Sequence, residues 1–276
     1  MPSGNATGPV KLDPRRPGHN LPYAFVNLLV SLCPMETFTK TAHSSLKLAN
    51  KTAKGLSVLR LLHVLVLFLS SIMLGVGDEL KPISLPKPEL GGGKTLMEAI
   101  QLRRSTREFG PEKLSAKELG GVLWSGFGIN RPDEGRRTAP SAMNSQEVDL
   151  YVALVDGLYL YDAKAHQLNP VLAGDFRGKT GQTFSTNAAA VVIYVADLSR
   201  LAKAKPETRL FYSGIDTGAI SQNIYLFCAA NDLATVVYDL NREPLARAMG
   251  LKPEQQVILA QAVGHPKPTA VTSDQK

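Results

Sequence analysis

Two short segments gather the side chains that chemistry needs. Arg103-Arg104-Ser105-Thr106-Arg107 puts three guanidiniums and two hydroxyls within five residues. Such a dense set of charged donors suits a dianionic phosphate, which arginine can grip through two parallel hydrogen bonds. The same run also fits a solvated helix end, where cations meet the negative end of the helix dipole. The second segment is Arg137-Thr-Ala-Pro140-Ser141-Ala142-Met143-Asn144-Ser145-Gln146, a polar turn just ahead of a β-rich stretch. Its Ser, Asn and Gln side chains both donate and accept, as the edge of a planar heterocycle and a hydroxylated chain require. A loop that bonds its own backbone would use the same residues.

Other chemistries find little support. The chain has two cysteines, Cys33 and Cys228, and five scattered histidines, with no CxxC pair and no zinc spacing. Cys228 sits at helical spacing among apolar residues and reads as a buried thiol. His166 reads as exposed in a turn, and the single tryptophan, Trp124, as core or interface. Gly126-Phe-Gly128 lacks both a preceding strand and a third glycine, so it is not a dinucleotide fingerprint. No Ser-His-Asp, Cys-His or paired-carboxylate constellation is evident. The net charge of +7 invites a nucleic-acid reading, but the excess is uneven. Residues 1–77 carry 8 Lys/Arg against 2 Asp/Glu, whereas 78–276 carry 23 against 22. The basic excess therefore belongs to the leader, a polyanion-binding reading of the main domain loses most of its support, and nucleic acid is not expected as a partner.

The elements that must position the two segments can be read locally. Thr95 with Glu98, and Ser115 with Glu118, have capping-box spacing, and each precedes an apolar stripe, so two helices are expected. Residues 148–155 and 158–161 flank Asp156-Gly157 and form a hairpin signature. The apolar run 188–196 is expected as a central strand covered on both faces. Residues 208–231 contain no proline and keep helical spacing, which predicts one long buried helix. Its Gly214, Gly218 and Ala219 would let another helix approach. A strand at 234–238, a helix at 241–249 stopped by Gly250, and a strand at 256–263 complete the series. Mixed helices and strands with a hairpin predict an α+β fold with a mostly antiparallel sheet flanked by helices.

Ahead of this lies a leader. Residues 1–55 are polar, dotted with Pro and Gly, and without a sustained period. Within segment 56–77 the apolar run starts at Leu61; Lys47, Lys51, Lys54 and Arg60 precede it, and Asp78-Glu79 follow the segment. A basic flank, a short apolar run and small residues at Gly75 and Gly77 predict an export signal cleaved before Asp78, with Met35 as a candidate start. A retained membrane anchor is the alternative, and a buried core helix a third reading. Residues 78–93 read as an extended linker or arm, and the functional domain as 94–276.

In this order and separation, the segments resemble the nitroreductase family. Arg103-Arg-Ser-Thr-Arg-Glu-Phe109 is similar to its Arg-x-Ser-x-Arg-x-Phe element, and Pro140-Ser-Ala-Met-Asn-Ser-Gln146 to its Pro-Ser-x-x-Asn-x-Gln element. The helix bearing Asp216, Gly218, Gln222 and Asn223 resembles the family's central dimer helix, and Val263-Gly264-His265-Pro266 its closing strand and turn. The resemblance implies a three-layer α+β homodimer that binds FMN in two clefts across the subunit interface and draws electrons from NADH or NADPH. Carried over by position, Arg103, Arg104, Ser105 and Arg107 would hold the phosphate and ribityl chain. Pro140, Ser141 and Ala142 would reach in from the partner, with Asn144 and Gln146 near the ring. Gly264 and Lys267 would close the site. The family's Glu-Gly pair facing flavin N5 corresponds here to Tyr238-Asp239, where a backbone N–H remains to serve. The implied reaction is reduction of a small aromatic, nitro or quinone-like acceptor, with the hydride passing through flavin N5 and no side-chain nucleophile needed. Two alternatives stay open: an azoline-type peptide dehydrogenase, and an electron-carrying flavin module without reductase turnover. The last is kept by the leader, since exported proteins meet little free NAD(P)H.

Overall fold

The protein was analysed as a computed structural model that describes residues 79–268. The apolar segment 56–77 and the rest of the leader lie outside the described residues.

Both capping boxes form. Thr95 accepts the Glu98 N–H, and the Glu98 carboxylate answers the Thr95 N–H, starting α1 (Leu96–Leu102). Ser115 and Glu118 do the same at the start of α2 (Ala116–Phe127). Each box satisfies two donors that a helix start would otherwise orphan. The proline-free stretch becomes α3 (Pro206–Ala230). The last helix, α4 (Arg242–Met249), ends where Gly250 adopts a left-handed φ of 66° and Leu251 N–H bonds back to the Ala246 carbonyl.

Among the described residues the strands are β1 (Ile83–Ser84), β2 (Ile129–Arg131), β3 (Arg136–Arg137), β4 (Val148–Ala153), β5 (Gly157–Asp162), β6 (Gln167–Ala173), β7 (Ala190–Asp197), β8 (Ala234–Tyr238) and β9 (Gln255–Gly264). β2 and β3 form a small ribbon of their own, and the other seven make one sheet in the order β1-β6-β5-β4-β7-β9-β8. Every pairing in it is antiparallel. The apolar run of β7 lies at its centre, between β4 and β9, and is buried from Ala190 to Ala196.

Side chains alternate across the sheet and divide the core in two. Val192 and Tyr194 meet Val122, Leu123 and Phe127 of α2 and Ile220, Ile224 and Cys228 of α3 on one face. Val191, Ile193 and Val195 meet Phe176, Leu245 and Met249 on the other. The result is a three-layer α+β arrangement, as expected. Cys228 is the buried thiol its spacing suggested, with burial pushing its pKa well up.

Two local expectations need correction. The long helix is buried along only one stripe, because Leu210, Phe211 and Ile215 stay exposed on its first half. His166 is half-buried: its ring meets the Tyr161 hydroxyl at 2.9 Å and the Pro86 carbonyl at 2.9 Å. It thereby fastens the 79–93 segment, whose β1 adds to the sheet beside β6.

Candidate functional site

The first cluster begins where α1 ends. Arg103 is the C-cap, and the chain turns there (φ −56°, ψ 121°) into an extended run. That run is fastened to the end of the sheet. Thr106 N–H bonds to the Thr235 carbonyl at 2.9 Å, Gly110 N–H to the His265 carbonyl at 2.9 Å, and Lys267 N–H to the Glu108 carbonyl at 3.2 Å. Phe109 bridges Pro266. Gly264 is needed for this closeness: a Cβ there would come 3.0 Å from the Ala189 nitrogen and 3.2 Å from the Phe109 ring. Arg104 and Arg107 therefore lie beyond the helix, on a segment tied to β8 and β9. The helix-dipole account covers only Arg103.

Aromatic rings and hydroxyls hold the cluster. The Arg103 guanidinium lies 5.2 Å from the Tyr225 ring centre, and that of Arg107 5.9 Å from Phe184. The Ser105 and Tyr225 hydroxyls are 2.8 Å apart, and Tyr225 Oη accepts the Val237 N–H at 2.9 Å. Arg104, Thr106, Tyr225, Thr235 and Pro266 surround a recess of about 140 Å³. Arg103, Arg104 and Arg107 make no ion pair among the described residues, whereas Arg136, Arg177, Arg200, Arg242 and Arg247 each have a carboxylate. Larger cavities of about 350, 460 and 510 Å³ lie elsewhere and are lined by carboxylates as well as cations.

The second segment folds into a tight loop ahead of β4. Ala142–Asn144 make one 3-10 turn, and Met143, Asn144 and Gln146 have φ of 55°, 53° and 47°. Left-handed backbone at a non-glycine residue costs about 1–2 kcal/mol each, so the loop keeps this shape only because its surroundings hold it. Gln146 N–H donates to Ser141 Oγ at 2.8 Å, and Ser145 Oγ to the Ala142 carbonyl at 2.7 Å. The Gln146 side chain accepts from Arg137 Nε at 2.8 Å and donates to the Gly135 carbonyl at 2.9 Å. Asp216 of α3 takes the Ala142 N–H on Oδ2 at 2.7 Å. Pro140 and Asn144 are exposed.

Within one chain the two segments meet α3 at different points, through Tyr225 and through Asp216. Nine residues separate those contacts, ~14 Å along a helix axis. Tyr238 turns its ring inward: its hydroxyl meets Thr180 Oγ1 at 2.9 Å, and the ring packs edge-on against Phe184. Asp239 pairs with Arg242 at 2.7 Å. The buried Tyr238 side chain leaves that residue only its backbone to offer a ligand, whereas the Asp239 carboxylate stays exposed beside Arg242.

Several supporting residues escape a sequence reading. Tyr225, Phe184 and Thr235 lie far along the chain from the 103–107 segment they contact. The absence of paired carboxylates also needs correction, because Glu147, beside the loop, is buried facing Asp216. Glu147 sits between a polar loop and a strand, where a solvated carboxylate is ordinary, so nothing in the sequence marked it.

Known proteins share the family and the fold of this chain. The Nitroreductase family model matches residues 100–265. A protein of Methanocaldococcus jannaschii, provisionally named a nitroreductase, is 26% identical over 152 residues, which cover 51% of this chain and 76% of that one. A crystal structure from Ralstonia eutropha JMP134, provisionally described as a nitroreductase, is 39% identical, with a TM-score of 0.67 over 70% of this chain and 93% of that one. The Escherichia coli microcin synthetase McbBCD complex, solved with truncated pro-MccB17, shares the fold at 14% identity, with a TM-score of 0.53 over 71% of this chain and 80% of that one.

Proposed function

The chain belongs to the nitroreductase family, and from that premise we propose that it is an FMN-dependent oxidoreductase that takes electrons from NADH or NADPH and passes them to a small aromatic, nitro or quinone-like acceptor. The observation that carries the cofactor assignment is the group of three guanidiniums without carboxylate partners among the described residues, fastened beside the Ser105 and Tyr225 hydroxyls. Among the other described arginines, Arg136, Arg177, Arg200, Arg242 and Arg247 pair with carboxylates, and Arg131, Arg137 and Arg209 donate to backbone carbonyls, so a cluster of three without a carboxylate at one sheet end fits a ligand that supplies the negative charge. A terminal phosphate does so, and arginine matches it with two donors at once.

In this reading Arg103, Arg104 and Arg107 hold the phosphate, Ser105 and Lys267 border it, and the 140–146 loop offers hydroxyl and amide groups to the rest of the cofactor. Bound FMN supplies the hydride chemistry, so the protein's part is to position the ring and exclude competing reactions. The ~14 Å between the two segments along α3 supports a second element of the proposal, a homodimer in which each cleft takes its arginines from one subunit and its loop from the other. We also propose that 56–77 directs export with cleavage before Asp78. N-terminal sequencing of the native protein tests this, and a chain beginning at Met1 in a cytosolic fraction would refute it.

The central test is anaerobic stopped-flow of the purified protein with NADH and with NADPH. The proposal expects a yellow protein that releases FMN on denaturation and bleaches rapidly with at least one donor. Release of FAD, or no flavin after reconstitution, overturns the cofactor assignment. Bound FMN that neither donor reduces overturns the reductase and leaves an electron-carrying module.

A further inference from the structure

Glu147, the residue that follows the loop, is fully buried, and neither of its carboxyl oxygens has a hydrogen-bond partner among the described residues. Facing it on α3 are Asp216, only 4% exposed, and the buried hydroxyl of Ser213, with buried Thr217 next along the helix. Thr217 Oγ1 also lacks a partner among the described residues. These three residues continue the stripe that Ile220, Ile224 and Cys228 begin, so the buried side of α3 changes from apolar to polar where it meets the loop. An orphaned buried carboxylate is costly, and polar groups inside proteins are almost always paired.

One proton resolves the arrangement. Two carboxylates in one site cannot both ionise cheaply. Asp216 is the better place for the charge, because its Oδ2 already accepts the Ala142 N–H at 2.7 Å. The proton then sits on Glu147, whose carboxyl is pushed up to about 7, first by burial and further by the Asp216 carboxylate. Once protonated, Glu147 both donates and accepts, so it can answer Asp216 and a hydroxyl of α3 together. A further charge that feels Glu147 is Arg200, from the turn after β7. Its guanidinium is committed to the Gln146 carbonyl at 3.0 Å, to Asp149 at 2.9 and 2.6 Å, and to Asp197 at 3.5 Å. It is therefore already balanced by carboxylates of its own.

We propose that Glu147 and Asp216 form a proton-sharing carboxyl pair that fixes the 140–146 loop in the shape that receives the flavin, which makes both of them positioning residues of that site. Asp216 pins the loop near its start through Ala142, and Glu147 pins its end by being the next residue. Loss of the shared proton places two like charges between the loop end and the helix and strains both anchors. The proposal rests on the flavin reading for what the loop holds, not for the existence of the pair.

The test uses the full chain in two parts. Without flavin, urea midpoints are compared across pH for wild type and Glu147→Gln. A carboxyl whose pKa rises from 4.5 to about 7 on folding binds its proton in the folded state first. Stability should therefore fall as pH rises from about 4.5 to about 7 and level off above, and Glu147→Gln should lack that slope. With riboflavin, whose lack of a phosphate removes any titration of the ligand's own charge, wild-type affinity should weaken roughly tenfold as pH rises through 7, about 1.4 kcal/mol. Glu147→Gln should stay level. Should that variant not fold, Asp216→Asn removes the like charge and should make the wild-type slope shallower without abolishing it, because burial still raises Glu147, and should weaken riboflavin at every pH; an unchanged slope overturns the pair. A Glu147→Gln slope equal to wild type overturns the pair. A lost slope with riboflavin affinity independent of pH in wild type overturns the positioning role. Absence of flavin binding at any pH overturns the flavin reading and the positioning role together, while the urea slopes still decide the pair.

Discussion

Arg107 is the most informative single residue, because the phosphate proposal and the solvated-charge alternative predict different things for it. It lies past the helix end, on a run fastened to the sheet, with Phe184 against its guanidinium. A charge-assisted contact to a charged group is worth about 1.5–3 kcal/mol. Arg107→Ala should thus weaken FMN by roughly ten- to a hundredfold at ~1.4 kcal/mol per decade. Riboflavin should bind both proteins alike, and Arg107→Lys should recover only part of the FMN affinity, since lysine lacks the planar fork. Fluorescence titration of both flavins decides this, and parallel losses for the two would remove the phosphate assignment. Tyr225→Phe probes the support: it deletes the oxygen that accepts the Val237 N–H and meets Ser105. With an amide left unsatisfied, a stability loss of about 1–3 kcal/mol is expected in urea unfolding.

At the scale of elements, what was legible in the sequence is what depends on neighbours a few residues away. Thr95/Glu98 and Ser115/Glu118 announce two helices because the box closes within one turn, and Asp156-Gly157 announces the β4–β5 hairpin for the same reason. Ser115→Ala should accordingly cost about 1 kcal/mol of stability, readable in urea unfolding; an unchanged midpoint would mean the cap is redundant. Glu118 carries a pH signature. Burial pushes its carboxyl up, but the Ser115 N–H and hydroxyl outweigh this and leave it below the ordinary value of 4.5. Its contribution should be present above pH 4.5, be lost as pH falls below it, and be reduced in Ser115→Ala. Features that depend on distant chain stayed hidden. The apolar spacing of α3 predicts burial but not that Leu210, Phe211 and Ile215 would lack cover within the chain. The docking of β1 beside β6 and the left-handed backbone at Met143, Asn144 and Gln146 have no local signal either. In the site, the two motifs named the residues, but the Tyr225 and Asp216 contacts that shape them are set by how α3 crosses the sheet.

At the scale of the whole molecule, those uncovered residues connect assembly to cofactor binding. Leu210, Phe211 and Ile215 are 56%, 66% and 53% exposed, and Leu96 and Met97 of α1 are 64% and 71% exposed. On the same helix, Gly214 and Gly218 have nothing within 4 Å of where a Cβ would stand, so a second helix can come close without displacing side chains. If a second copy covers this face, a carboxylate placed there must be buried without a partner, which costs several kcal/mol and far exceeds the loss of one methyl contact. Ile215→Asp should therefore convert a dimer into a monomer in sedimentation velocity. Because each proposed cleft takes its loop from the other subunit, flavin should leave over the same concentration range in which the dimer dissociates. Val155→Asp offers a matched control: Val155 is 51% exposed but lies in the β4–β5 turn, so its substitution should leave both assembly and flavin content unchanged. A wild-type monomer that keeps its flavin would refute the shared cleft outright. Then the arginine cluster and the 140–146 loop, ~14 Å apart along α3, would have to be bridged by a cofactor lying wholly on one chain.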